Sequence, residues 1–154
     1  VKEYIMKNLI SKIISVIFLS SLSFFSFSSE KDVLDTIYKW SALEGDLDAQ
    51  AELIRDDRVM ITSKRWPNQA ENLMIQKERR AASLSRDPDL KLISTISSPE
   101  VRIYGEVAIA DFVRRTDFIP SMGEMSPPTF TYITLVLVEE DGNWGIAHTH
   151  NSPM

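Results

Sequence analysis

Hydrophobic positions recur at three- and four-residue spacing in the first half of the chain and mostly at two-residue spacing in the second. Val33, Ile37 and Trp40 form a stripe with Leu34 and Tyr38 beside it, which predicts a helix capped by Asp32 and stopped in left-handed geometry at Gly45. Asp46 is placed to cap a short second helix with Leu47, Ala51 and Ile54 inward. Arg58 to Thr62 reads as a strand, broken at Trp66-Pro67. Ala70, Leu73, Met74, Lys77, Ala81 and Leu84 predict a third helix over 68–85, with Pro88 marking its end. Asp56-Asp57 is expected to close the second helix and stay solvated.

Strand patterns follow over 90–97, 100–104, 107–115, 129–140 and 144–150, with a Pro-, Gly- and Ser-rich loop over 119–128. Gly105-Glu106 and Asp141-Gly142 mark two hairpins. The second is the stronger signal, because Asp-Gly suits a two-residue turn that needs positive φ at both positions. Helices followed by a run of strands predict an α+β fold, one antiparallel sheet with helices packed on one face. The 129–140 strand is apolar on both sides, with Ile133, Leu135 and Leu137 on one and Tyr132, Val136 and Val138 on the other. Helices cover one side only, so a homodimer through the other is expected.

The first 28 residues have a different composition. Lys7 and Lys12 precede an apolar stretch, Ile13 to Phe27, interrupted by serines and ending in Ser26-Phe27-Ser28. That is the order of a secretory signal peptide cut after Ser28. Met6-Lys7-Asn8 is a more usual opening than Val1 to Ile5. The stretch is short against the ~20 apolar residues of a spanning helix. The expected organisation is a signal peptide over 1–28, removed on export to the periplasm or outside the cell, and one domain over 29–154.

The full chain carries 17 basic and 22 acidic residues. The leader holds three of the basic residues and one of the acidic, leaving 14 against 21 and a net charge of −7. An acidic surface repels phosphate backbones, so nucleic acid is not an expected partner. There is no cysteine, which excludes disulfides, thiolate metal sites and a Cys nucleophile. No pair of the five glycines is spaced as a phosphate loop requires. No cofactor is expected.

Three stretches carry a family resemblance. Gly45-Asp46-Leu47-Asp48-Ala49 followed by Arg55-Asp56-Asp57-Arg58-Val59 forms the first, and Val101 to Ala108 (VRIYGEVA) the second. Gly142 to Ser152 (GNWGIAHTHNS) forms the third. In this order they resemble the nuclear transport factor 2-like superfamily, in its SnoaL-like branch of small exported bacterial domains. The resemblance implies a cystatin-like cone: a strongly curved antiparallel sheet over three helices, with a pocket inside and often a dimer through the outer face. It leaves function open, because the superfamily holds isomerases, cyclases, dehydratases and non-catalytic binders.

Tyr38, seven residues before Gly45, resembles the oxyanion-binding tyrosine of ketosteroid isomerases in this superfamily. Their carboxylate base stands seventeen residues after the glycine; here that position is Thr62, followed by Ser63, and a hydroxyl does not replace a carboxylate as proton acceptor near neutral pH. His148 and His150 are the only histidines. Strict alternation places them on one face with Trp144 and Ile146, pointing into the cone. There they can hold an acidic ligand, or one can act as a base. A metal site is not expected, since no acidic residue nearby is an obvious third ligand. Trp40 and Trp144 are expected in the core, and Trp66 as a ligand contact. Asp111, on a central strand, has Arg114 and Arg115 close enough to neutralise it, with its face undetermined. The favoured function is an exported domain that binds a small molecule or a partner through Tyr38, Trp66, His148 and His150. The alternative is an isomerase, cyclase or dehydratase using a pocket histidine as base and Tyr38 as hydrogen-bond donor. The two separate on whether Tyr38, His148 and His150 share one pocket.

Overall fold

A computed structural model of the protein describes residues 29–154. The predicted signal peptide lies outside the described residues. Helix α1 spans Glu30–Ala42 and begins one residue after Ser29, earlier than the expected Asp32 cap. The Ser29 hydroxyl accepts from the Asp32 backbone N–H, and the Asp32 carboxylate accepts from the Ser29 backbone N–H at 2.8 Å. This reciprocal cap satisfies two end donors and is worth about 1 kcal/mol. Val33, Ile37 and Trp40 are buried along one face. The helix ends in a 3₁₀ turn, Leu43–Gly45, without the left-handed glycine that was expected. Helix α2, Leu47–Ala51, is capped by the Asp46 carboxylate, which accepts from Ala49 N at 3.1 Å.

Ile54 opens strand β1 (Ile54–Ile61) instead of ending a helix, and Asp56 and Asp57 therefore lie on that strand. Strand β2 (Arg65–Trp66) turns back on it. Helix α3, Gln69–Leu84, is capped by Asn68. Strands β3 (Lys91–Tyr104), β4 (Val107–Ile119), β5 (Thr129–Glu140) and β6 (Asn143–Pro153) complete the chain. The two strands expected over 90–104 are one. Ser98, at φ 51°, and Pro99 make an irregularity between Ser97 and Glu100 that pairing with β4 bridges. Asp141 and Gly142 both take positive φ, as the hairpin signal required.

The sheet is six-stranded, curved and unclosed, in the order β2-β1-β6-β5-β4-β3. Every pair is antiparallel except β1 with β6, which is parallel and joins the two ends of the domain. The concave face carries Ala108, Ala110, Phe112, Ile133, Leu135, Leu137, Trp144 and Ile146, all buried. α1 lies over it, with the Trp40 ring edge-on to Phe112 at 6.3 Å. Trp40 and Trp144 thus belong to the core, as expected. The convex face carries Ile109, Val113, Val136 and Val138, partly exposed, and Tyr132, 55% exposed.

Candidate functional site

Strand β6 does not alternate strictly. Ile146 pairs with Leu137 but His148 pairs with Val136, so Ala147 is an extra residue, a β-bulge. One inserted residue exchanges the faces of everything after it. Trp144 and Ile146 point into the cone, and beyond the bulge Thr149 and Asn151 do so, opposite Leu135 and Ile133. His148 and His150 stand on the convex face, opposite Val136 and Thr134. The expectation that they share the face of Trp144 is therefore corrected. Burial first, then His150 and Arg58, hold the His148 imidazole below its ordinary pKa.

The other candidates are also dispersed. Tyr38 is 47% exposed, on the side of α1 away from Val33 and Ile37. Asp111 is on the convex face, where Thr134 Oγ1 donates to it at 2.8 Å and Arg102 approaches at 3.7 Å. Its cation is Arg102, not Arg114 or Arg115. Arg115 pairs with Asp117, and Arg114 points inward, over the Trp40 ring and 3.7 Å from Glu44. His148 and His150 stand on the convex face and Tyr38 on α1, which lies over the concave one, so the sheet stands between them.

Trp66 does line a cavity. A pocket of about 240 Å³ lies between β1, β2 and the first half of α3, with Met60, Trp66, Asn72, Ile75 and Asn151 in its wall. Lys64 and Arg79 also line it, and among the described residues no carboxylate or histidine does. Thr62 and Ser63 are in the wall, so the hydroxyl-for-carboxylate exchange seen in the sequence falls on this pocket. Asn72 Nδ2 and Asn151 Oδ1 are buried and have no partner among the described residues. A second pocket, of about 370 Å³, lies under the far half of α3 and is lined by Glu44, Arg80, Leu92 and Phe118. Its Glu44 is committed, since Arg80 donates to it at 3.2 Å and Arg114 lies near it.

Arg58 belongs to the first motif stretch but was not among the expected site residues. It is 2% exposed on the concave face of β1, two residues before Met60. Its Nη1 donates to Thr149 Oγ1 at 3.3 Å, and its Nε and Nη2 have no partner among the described residues. Burial alone pulls the guanidinium down to about 10, which leaves it cationic at neutral pH. The alternation Arg58, Met60, Thr62 was the available signal: an arginine in phase with an inward methionine. Among the described residues no three acidic or histidine side chains group as metal ligands.

The SnoaL-like domain family matches the chain over residues 31–154. No curated protein sequence matches it. The fold is shared with the beta subunit of benzoate 1,2-dioxygenase from Burkholderia mallei, at 20% identity and a TM-score of 0.69 over 82% of this chain and 91% of that one. An NTF2-like protein with a cystatin-like fold from Novosphingobium aromaticivorans gives 14% identity and 0.68, over 96% and 89%. The CaMKII hub of S. rosetta gives 22% and 0.65, over 80% and 95%.

Proposed function

The chain belongs to the SnoaL-like domain family, and from that premise we propose that it is an exported, non-catalytic domain that binds a small molecule in the pocket walled by Trp66. The observation that carries this reading is the pocket's lining. It pairs apolar surface from Met60, Ile75 and Trp66 with the buried, unpartnered amide atoms of Asn72 and Asn151. Unpaired buried polar groups cost free energy that a bound ligand can recover. Among the described residues the wall has no carboxylate or imidazole to move a proton, which favours binding over the histidine-base enzyme. Of the four ligand contacts read from the sequence, Trp66 is the one retained.

Mass spectrometry of the protein purified from its own host tests this. One small molecule in stoichiometric amount is expected, lost from Asn72→Leu. A ligand-free wild-type protein would refute the reading. Export rests on the basic, apolar and small-residue order of residues 7–28. N-terminal sequencing of the exported fraction should start at Ser29; recovery of the intact leader in the membrane would overturn it.

A further inference from the structure

The cavity walled by Trp66 and the larger one beside Glu44 share two wall residues, Gln76 and Arg79. Both cavities lie against α3. Asn72, Ile75, Gln76, Arg79, Arg80 and Ser83 line one or the other, at three- and one-residue steps that keep them on a single helix face. At about 1.5 Å of rise per residue, that face runs about 16 Å. Of the residues of α3 only Gln69 and Asn72 are buried, so the helix buries no apolar side chain. A helix in a small domain is held mainly by the packing of an apolar face, and here the space beneath that face is left open.

Charge and apolar surface are divided along this face. Lys64 and Arg79 stand at the Trp66 end, and neither pairs with a carboxylate among the described residues. The Lys64 ammonium lies over the Trp66 ring, 6.0 Å from its centre. Arg80 and Glu44, at the other end, pair with each other. Among the described residues the two walls thus hold three cations, Lys64, Arg79 and Arg80, against one carboxylate, in a chain of net charge −5. A cationic cleft on an acidic chain focuses anions toward it. Beyond Arg79, the second cavity offers apolar wall from Leu47, Leu90, Leu92 and Phe118. Building on ligand binding in the Trp66 pocket, we propose that the two cavities form one groove for a single-chain anionic amphiphile, its head between Lys64 and Arg79 and its hydrocarbon tail under α3 against Leu90, Leu92 and Phe118.

Calorimetric titration of the wild-type protein with dodecanoate, hexanoate and dodecyltrimethylammonium, each below its micelle concentration, tests the assignment. Dodecanoate, whose extended chain matches the length of the groove, should bind at least tenfold more tightly than hexanoate, which fills one cavity, and than the cation with the same chain. Arg79→Met removes the charge of an exposed side chain and keeps a good helix former, so it should fold as wild type does and bind dodecanoate at least fivefold more weakly. Ser83→Phe, in the wall of the second cavity alone, should lower the affinity for dodecanoate to that for hexanoate and leave hexanoate binding unchanged. Equal binding of dodecanoate and the cation, equal binding of dodecanoate and hexanoate, or an unchanged affinity in Arg79→Met would overturn the proposal. Should Ser83→Phe fail to fold, the chain-length comparison on the wild-type protein decides. A protein that carries a small molecule from its host but binds neither carboxylate keeps the Trp66 pocket reading and removes this assignment; one that arrives empty and binds neither removes both.

Discussion

Deleting Ala147 should be tolerated, while deleting its near neighbour Thr149 should not. The argument comes from register. Without Ala147, Ile146 opposite Leu137 is followed directly by His148 opposite Val136, which is a regular antiparallel ladder with every face preserved. Ala147 is half-buried and leaves no core void. The loss is the local twist of the bulge, about 1 kcal/mol, or roughly 4 °C in the midpoint. Without Thr149, the ladder from Ile146 places Ala147 opposite Val136 and His148 opposite Leu135, inside the cone. The Arg58 guanidinium loses its one hydrogen bond, about 1.5–3 kcal/mol for a charged donor. An imidazole without a partner enters a buried row, costing about 1–3 kcal/mol more. Together these remove a large part of the about 5–15 kcal/mol that a domain of this size has. Urea unfolding followed by circular dichroism measures both variants. Equal damage from the two deletions, or a milder effect from losing Thr149, would refute the bulge as the device that sets these faces.

Two further outcomes follow from the convex face. We propose that it dimerises: Val136, Val138 and Tyr132 form an apolar strip beside Ile109 and Val113, so light scattering should give a dimer at micromolar concentration and a monomer for Val136→Lys. A wild-type monomer would remove the argument. His148 has a folded pKa below its ordinary 6.5, so between those values the unfolded chain binds more protons and stability falls as pH drops through that window. His148→Gln should flatten the acid side of the stability profile below about pH 6.5 and leave it unchanged above, as unfolding midpoints across pH will show.

Local pattern was enough for the elements whose signals are local. The Val33, Ile37 and Trp40 stripe, the Asp46 cap and the Asp141-Gly142 turn act within a few residues, so sequence spacing determined the buried face of α1, the start of α2 and the last hairpin. The three motif stretches were equally legible, and they carry the fold class with them. The site was not legible in the same way. Alternation is a rule about neighbours on one strand, and it holds only while pairing stays in register. At Ala147 the register is decided across the sheet: the β5 strand must keep Leu135 and Leu137 buried, and β6 absorbs the mismatch as a bulge. That step carries His148 and His150 out of the cone and Thr149 and Asn151 into it. The place of Arg58 was likewise set by tertiary structure, since only the parallel pairing of the first strand with the last brings it to Thr149. Contacts between residues 91 positions apart depend on how the sheet curves around its core, which no local spacing encodes.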